Sequence, residues 1–435
     1  MSSIPQQARD QAQRLLDFVD NSPSPWHAVA SIESTLLAHG FARLEEDEPW
    51  RLSPGNAYYV CRDASSIIAF RVGAEAQAGM GFTIVGAHTD SPGLRLKPNT
   101  AFSSDGLARL GVEVYGGPIL ATFADRDLSL AGRVNLRTDE GFESRLVRFD
   151  QALARLPNLA IHMNREVNEQ GLKLHKQNEL PLILTFADNA GDAVAAFKGL
   201  LADRLGVDAG RILNWELNAY DTQKGTFWGA HQEFIADSQL DNLASCHAAI
   251  TALVETHEPR LTAMCALFDH EEVGSESTAG AGGSFIADVI ARIALSLGWG
   301  QESQLTALAR SFFISADMAH AYHPNFPNAY EPAHKVMVNA GPVIKINANQ
   351  RYSSNADTAA RFMMLCEKAG VPYQQYAHRT DLGCGSTIGP IIASSLGISS
   401  VDVGCPMWAM HSIRESAGVL DHQAMIAVLR QAFAG

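Results

Sequence analysis

Several apolar stretches of this chain run directly into ionisable side chains, and that arrangement limits the fold more than any other feature. Phe82 to Ala87 delivers His88 and Asp90. Leu261 to Leu267 ends at Phe268-Asp269-His270-Glu271-Glu272-Val273-Gly274-Ser275. Phe312 to Ala316 ends in Asp317, and Ile398 to Val403 precedes Cys405-Pro406-Met407-Trp408-Ala409-Met410-His411-Ser412. Short, continuously apolar runs of this kind read as central strands buried on both faces. Neighbouring strand residues face opposite sides, so Glu271 and Glu272 continued as strand would send one carboxylate into the core. An ionised carboxylate there is costly unless it meets a cation or a hydrogen-bond network. At a strand end both can turn into one pocket, one to bind metal and the other to move protons; a solvated loop pair is the plainer alternative.

The surrounding pattern predicts the architecture. Gln6 to Asn21 and Trp26 to His39 read as helices, and Ala57 to Cys61 and Ser66 to Val72 as strands. From Ile235 onward strands and helices alternate: helices over Leu243 to Val254, Phe285 to Leu297, Asp357 to Ala369, Pro390 to Leu396 and Leu420 to Phe433, with strands Val343 to Asn347 and Pro372 to Tyr376 between them. From about Leu94 to Gln232 short β-like runs dominate (Gly111 to Tyr115, Leu128 to Val134, Leu146 to Phe149), with one helix over Asp192 to Leu205. A length of 435 residues exceeds one ordinary core. The expectation is an α/β protein: a mixed central sheet flanked by helices, assembled from 1–93 and 233–435, with a β-rich domain inserted over 94–232.

Composition narrows the function classes. A formal net charge of −14 without a Lys/Arg-rich run argues against nucleic acid as a partner. Apolar runs are too short to cross a bilayer, and Met1 to Arg14 is polar, without a signal-peptide core. The six cysteines, Cys61, Cys246, Cys265, Cys366, Cys384 and Cys405, are scattered among apolar neighbours, which reads as reduced thiols of a cytoplasmic protein.

In open α/β sheets, sites form outside the carboxyl ends of the strands. His88, Glu271, Glu272, Asp317 and His411 all follow apolar strands, and Asp241 stands at a helix start, where capping is its ordinary role. His88 and Asp90, two apart, share a face of an extended chain and can pair an imidazole ligand with an orienting carboxylate. Mixed imidazole and carboxylate donors suit Zn²⁺, with Co²⁺ or Mn²⁺ as alternatives. One carboxylate bridging two such ions makes a two-metal hydrolase, and a spare Glu would carry the proton from water to leaving amine. Lys345, amid Val343, Ile344 and Ile346, lies on a solvated face or aims at an anion. His320 and His323 are candidate metal ligands in their own right, but Pro324 argues against a helix aligning them, and the preferred reading is that they line a pocket. His162 and His175 are lone loop histidines whose ordinary role is structural or solvated.

Taken together these segments resemble the M18 metallopeptidases, the aspartyl aminopeptidase family. The landmarks are Ser22-Pro23-Ser24-Pro25, Ala87-His88-Thr89-Asp90-Ser91-Pro92, Leu240-Asp241-Asn242-Leu243, Glu271-Glu272-Val273-Gly274-Ser275, Ser315-Ala316-Asp317-Met318-Ala319-His320 with His323-Pro324-Asn325, Gln350-Arg351-Tyr352-Ser353 and Ala409-Met410-His411-Ser412-Ile413-Arg414-Glu415. The resemblance implies that Asp241 bridges two divalent metals, that His88 and Asp317 complete one and Glu272 and His411 the other, that Glu271 is the general base, and that Asp90 orients the site. It further implies Lys345 as the residue for an acidic substrate side chain, with His320, His323 and Tyr352 in the substrate pocket, and His162 reaching into a neighbouring subunit's site. The implied activity is release of N-terminal Asp or Glu from peptides with a free N-terminus. The implied assembly is a tetrahedral homododecamer with the inserted domain, 94–232, making contacts between subunits. A net charge of −14 repels acidic peptides on average, so Lys345 and the histidines would have to outweigh it locally. A two-metal aminopeptidase of broader specificity, a carboxypeptidase or deacylase of the same chemistry, and a non-enzymatic scaffold are the competing readings.

Overall fold

The apolar runs pair with one another at the centre of the molecule. In the computed structural model, which describes residues 4–435, the strands Thr262–Phe268, Phe82–His88, Phe312–Ala316 and Ser399–Gly404 lie side by side and parallel. Met1 to Ser3, the start of the polar Met1 to Arg14 stretch, lie outside the described residues. Every residue of Thr262–Phe268, Phe82–His88 and Phe312–Ala316 is buried, which explains sequences that are apolar throughout rather than alternating. Ser66–Arg71, Ala57–Arg62 and Ala42–Leu44 extend the sheet on one flank, and Val343–Ile346 and Gln374–Ala377 on the other, giving nine strands of mixed direction among the described residues.

Alternate residues of these strands serve two separate cores. Val85, Cys265, Leu267 and Ile314 pack with the helices Gln6–Asp20, Pro25–Ala38, Leu240–Val254 and Val419–Ala434. Ile84, Met264, Ala266 and Phe313 pack with Phe285–Ser296 and Ile388–Leu396 on the opposite face. Each large side chain taken from water in this way contributes roughly 1.5–3 kcal/mol. The parallel register aligns the carboxyl ends: Phe268 lies beside His88, and Ala316 beside Val403. Gly404 permits a close approach there, because a Cβ at that position would lie 1.8 Å from the backbone oxygen of Asp317.

Two further sheets frame this edge. Gly93–Ser104, Leu107–Tyr115, Leu128–Thr138, Gly141–Arg148, Leu182–Phe186 and Ile212–Asp221 form a six-stranded antiparallel sheet with a hydrophobic cluster of its own. A smaller sheet joins Thr226–Trp228, Phe234–Asp237, Glu415–Gly418, Pro406–Trp408 and Ala319–His320. Asp241 follows its second strand, and His411 occupies the turn between Pro406–Trp408 and Glu415–Gly418. Among the described residues no helix is long and apolar enough to cross a membrane, and the six cysteines are free thiols, four of them buried.

Where the helices Leu240–Val254 and Val419–Ala434 meet, His247 Nδ1 and His422 Nε2 are hydrogen-bonded at 2.8 Å. Burial lowers the His247 pKa to about 4 and that of His422 well below the ordinary 6.5, and the charge of Arg14 adds to both. The folded chain therefore keeps both rings neutral at pH values where the unfolded chain protonates them. Their contribution is whole above pH 6.5 and is lost as the pH falls toward 4, by up to about 1.4 kcal/mol per pH unit for each group. Because other buried groups titrate in the same range, the comparison is with His422→Asn: the urea midpoint of the metal-free unaltered protein, taken relative to that of His422→Asn, is expected to fall between about pH 7 and about pH 5. A difference between the two midpoints that does not change with pH would contradict this.

Candidate metal centre

The site begins with the backbone after Thr262–Phe268. His270 at φ +63 and Gly274 at φ +101 close a single turn over Glu271–Val273, so the two glutamates leave the sheet together and border the same cavity. Asp90, fully buried, holds this turn: its Oδ1 accepts from Glu271 N at 3.2 Å and its Oδ2 from Glu272 N at 3.1 Å and from the Tyr115 hydroxyl at 2.7 Å. His88 Nδ1 lies 3.0 Å from the Asp90 carbonyl oxygen. A proton on that nitrogen leaves Nε2 free as a ligand. His411 is arranged likewise, with Nδ1 3.1 Å from the Gly117 carbonyl oxygen.

Both free nitrogens face Asp241. Its Oδ1 lies 3.5 Å from His88 Nε2, and its Oδ2 lies 3.5 Å from His411 Nε2. Asp317 Oδ1 is 3.8 Å from His88 Nε2, and Glu272 Oε1 is 3.3 Å from His411 Nε2. Two ligand atoms on one tetrahedral zinc stand about 3.3 Å apart, so these spacings suit donors around a shared cation better than hydrogen bonds. Asp241 Oδ1 is buried without a hydrogen-bond partner, and the donor set is one that zinc accepts; the residues fit such an ion. Asp241 does not cap its helix: the N-cap is Gln239 and no side-chain cap bond is made. Glu271 Oε2 is 3.9 Å from His88 Nε2, so Glu271 borders the His88–Asp317 side of the cluster as well as the cavity. Among the described residues, the groups able to hold a metal are His88 with Glu271 and Asp317, and His88 with Asp241 and Glu272.

The electrostatics follow from this crowding. Burial pushes the Glu271 carboxyl up to about 8, opposed by His88 and reinforced by the charges of Asp317, Glu272 and Asp90. Burial also opposes the charged form of Asp241, but the His411 and His88 imidazoles facing its two oxygens outweigh it and hold that carboxyl below its usual range. The carboxylates Asp90, Asp241, Glu271, Glu272 and Asp317 thus share a small space with His88, His411 and Lys345, an excess of negative charge that divalent cations would neutralise.

The cavity outside this cluster holds about 630 Å³ and is bordered by His320, Lys345 and Tyr352. Lys345 is buried; its Nζ lies 3.4 Å from Asp317 Oδ2, donates to the Met318 carbonyl at 3.2 Å and sits 5.1 Å from the Tyr352 ring centre. Burial holds the His320 pKa at about 4, with Lys345 and His378 adding to the effect. His323 is not among the residues bordering this cavity; its Nδ1 accepts from Asn325 N at 3.2 Å and its ring packs on Phe326. The strand Ala319–His320 ends at His320, and His323 lies on the loop that follows it. His162 lies exposed on a turn between Gly141–Arg148 and Leu182–Phe186, outside this chain's own cluster. Tyr115, Gly117 and Glu415 were not identifiable as site residues: the first two come from the antiparallel sheet region, and Glu415 carries no role in the sequence beyond ending a landmark. A larger hollow, about 760 Å³ between Gln6–Asp20, Pro25–Ala38 and Leu240–Val254, lies apart from both metal-capable groups.

Comparison with known proteins gives consistent matches. The family described as "Aminopeptidase I zinc metalloprotease (M18)" matches residues 18–433. The "Probable M18 family aminopeptidase 2" of Stutzerimonas stutzeri (strain A1501) is 48% identical over 421 residues, 96% of each chain. A chain of the Ape4 and Nbr1 complex solved by cryo-EM superposes with a TM-score of 0.95 at 37% identity, covering 100% of this chain and 88% of that one. A chain of the S. cerevisiae mApe1 dodecamer superposes at 0.85 with 26% identity, covering 98% and 97%.

Proposed function

Because this chain belongs to the M18 family of zinc metalloaminopeptidases, we propose that it removes the N-terminal residue, preferentially Asp or Glu, from peptides, using two divalent cations. The observation carrying this reading is Asp241, which offers one oxygen to His88 and the other to His411. His88 and Asp317 would complete one position and Glu272 and His411 the other. Bound zinc supplies an acidified water and a polarised scissile carbonyl. Glu271, bordering the cavity, takes the proton of the attacking water and passes it to the leaving amine as the C–N bond breaks. Asp90 holds the Glu271–Glu272 turn and the His88 ring in place.

Lys345, His320 and Tyr352 form the pocket for the substrate's first side chain, and the Lys345 ammonium supplies its positive charge. Lys345 already faces Asp317, and that pairing favours the second reading, an aminopeptidase of broader specificity. By similarity to the mApe1 dodecamer, the chain self-associates as a tetrahedral homododecamer. The segment 94–232 serves as the domain between subunits and carries His162 to a neighbour's pocket. The free thiols fit a cytoplasmic setting.

A panel of aminoacyl reporter substrates tests this. Chelated protein is expected to be inactive and zinc to restore it, with kcat/KM for Asp and Glu at least about 10-fold above neutral residues, a difference of about 1.4 kcal/mol. Equal rates across the panel would leave the broader reading. Cleavage of N-acetylated substrates would overturn the aminopeptidase assignment.

A further inference from the structure

Glu415 is a buried carboxylate that the reaction above does not use. Its Oε2 accepts from the backbone N–H of Asp241 at 2.9 Å, and its Oε1 from that of His411 at 2.6 Å. One side chain therefore ties together two residues that are remote in sequence and whose side chains face each other at 3.5 Å. Neither amide lies in regular structure: Asp241 has φ −84 and ψ 106 within a helix it does not follow, and His411 has φ +68. No helix or strand ladder provides acceptors for such amides, and a buried N–H without one is costly. Glu415 itself is anchored in the strand Glu415–Gly418, which pairs with Phe234–Asp237 on one side and Pro406–Trp408 on the other.

We propose that Glu415 is a positioning residue that sets the separation of Asp241 and His411 by holding both of their main-chain amides. This rests on the reading of those two residues as metal ligands. A carboxylate suits the task because both of its oxygens accept; an amide side chain presents a donor to one of the two N–H groups. The role predicts an effect on the metal rather than on stability alone, since partners that orient ligands typically change metal affinity or activity by 10- to 100-fold.

The test compares Glu415→Gln and Glu415→Asp with the unaltered protein. Zinc affinity by chelator competition is expected to weaken roughly 10- to 100-fold, kcat at saturating zinc to fall with KM little changed, and the visible absorption of the Co²⁺-loaded protein to shift. A lowered melting temperature with unaltered zinc affinity and Co²⁺ spectrum would overturn the proposal and leave a structural role. If neither variant folds, amide hydrogen exchange in the unaltered protein decides: protected Asp241 and His411 amides support it, and exchange at loop rates overturns it. Failure of the unaltered protein to bind zinc would instead overturn the metal reading itself, which separates the two outcomes.

Discussion

Glu271→Gln is expected to abolish peptide turnover while leaving zinc content and assembly intact. The substitution keeps the shape of the side chain and the backbone bond from residue 271 to Asp90, but an amide cannot take up a proton from water. Loss of a positioned general base costs typically about 10²- to 10⁴-fold in rate, and the upper end is expected here, because burial and the neighbouring carboxylates tune this group's affinity for protons. The measurement is kcat on an N-terminal Asp reporter together with metal analysis of the same sample. Turnover within a few-fold of the unaltered protein would remove Glu271 from the chemistry. Loss of zinc along with turnover would make it a ligand, a role its 3.9 Å approach to His88 permits.

Asp241→Asn has the second large effect. The carboxylate loses half of its bridging capacity, since the amide nitrogen faces either His88 or His411 with no lone pair to offer. Both metal positions share this side chain, so the expected result is loss of bound zinc from both, not one, and a fall in activity beyond the roughly 10- to 100-fold typical of an outer partner. Glu272→Gln, by contrast, is expected to empty the His411 side and leave the His88 side occupied. Zinc content per chain and activity, measured on the same preparations, distinguish the two. Retention of full zinc by Asp241→Asn would contradict the bridging role.

Much of this site was legible because strand burial leaves a plain mark on sequence. Residues such as Val85, Cys265 and Ile314 belong to a sheet covered on both faces, so the strands read as continuous apolar runs, and the ionisable residues at their ends stood out. The parallel register then did what the sequence implied, placing His88 beside Phe268 and Asp317 beside the end of Ser399–Gly404. The small sheet around Glu415–Gly418 was not legible. Its strands are two to four residues long, too short for any periodicity to register. The helix Gln301–Arg310 was missed for a related reason: Ala307 alone is buried in it, so it shows no apolar stripe. Asp241 was readable as a helix cap, yet its irregular backbone turns the carboxylate inward. Tyr115 reaches Asp90 from a separate sheet, a contact that depends on how distant segments pack and leaves no local signal.

His88, Asp241, Glu272, Asp317 and His411 are expected to hold a pair of cations between them. Diffraction from zinc-loaded crystals, recorded on either side of the zinc absorption edge, locates those cations. Two anomalous peaks per chain are expected, one against His88 and Asp317, the other against Glu272 and His411, with Asp241 contacting both. A single peak, or peaks remote from Asp241, would contradict it.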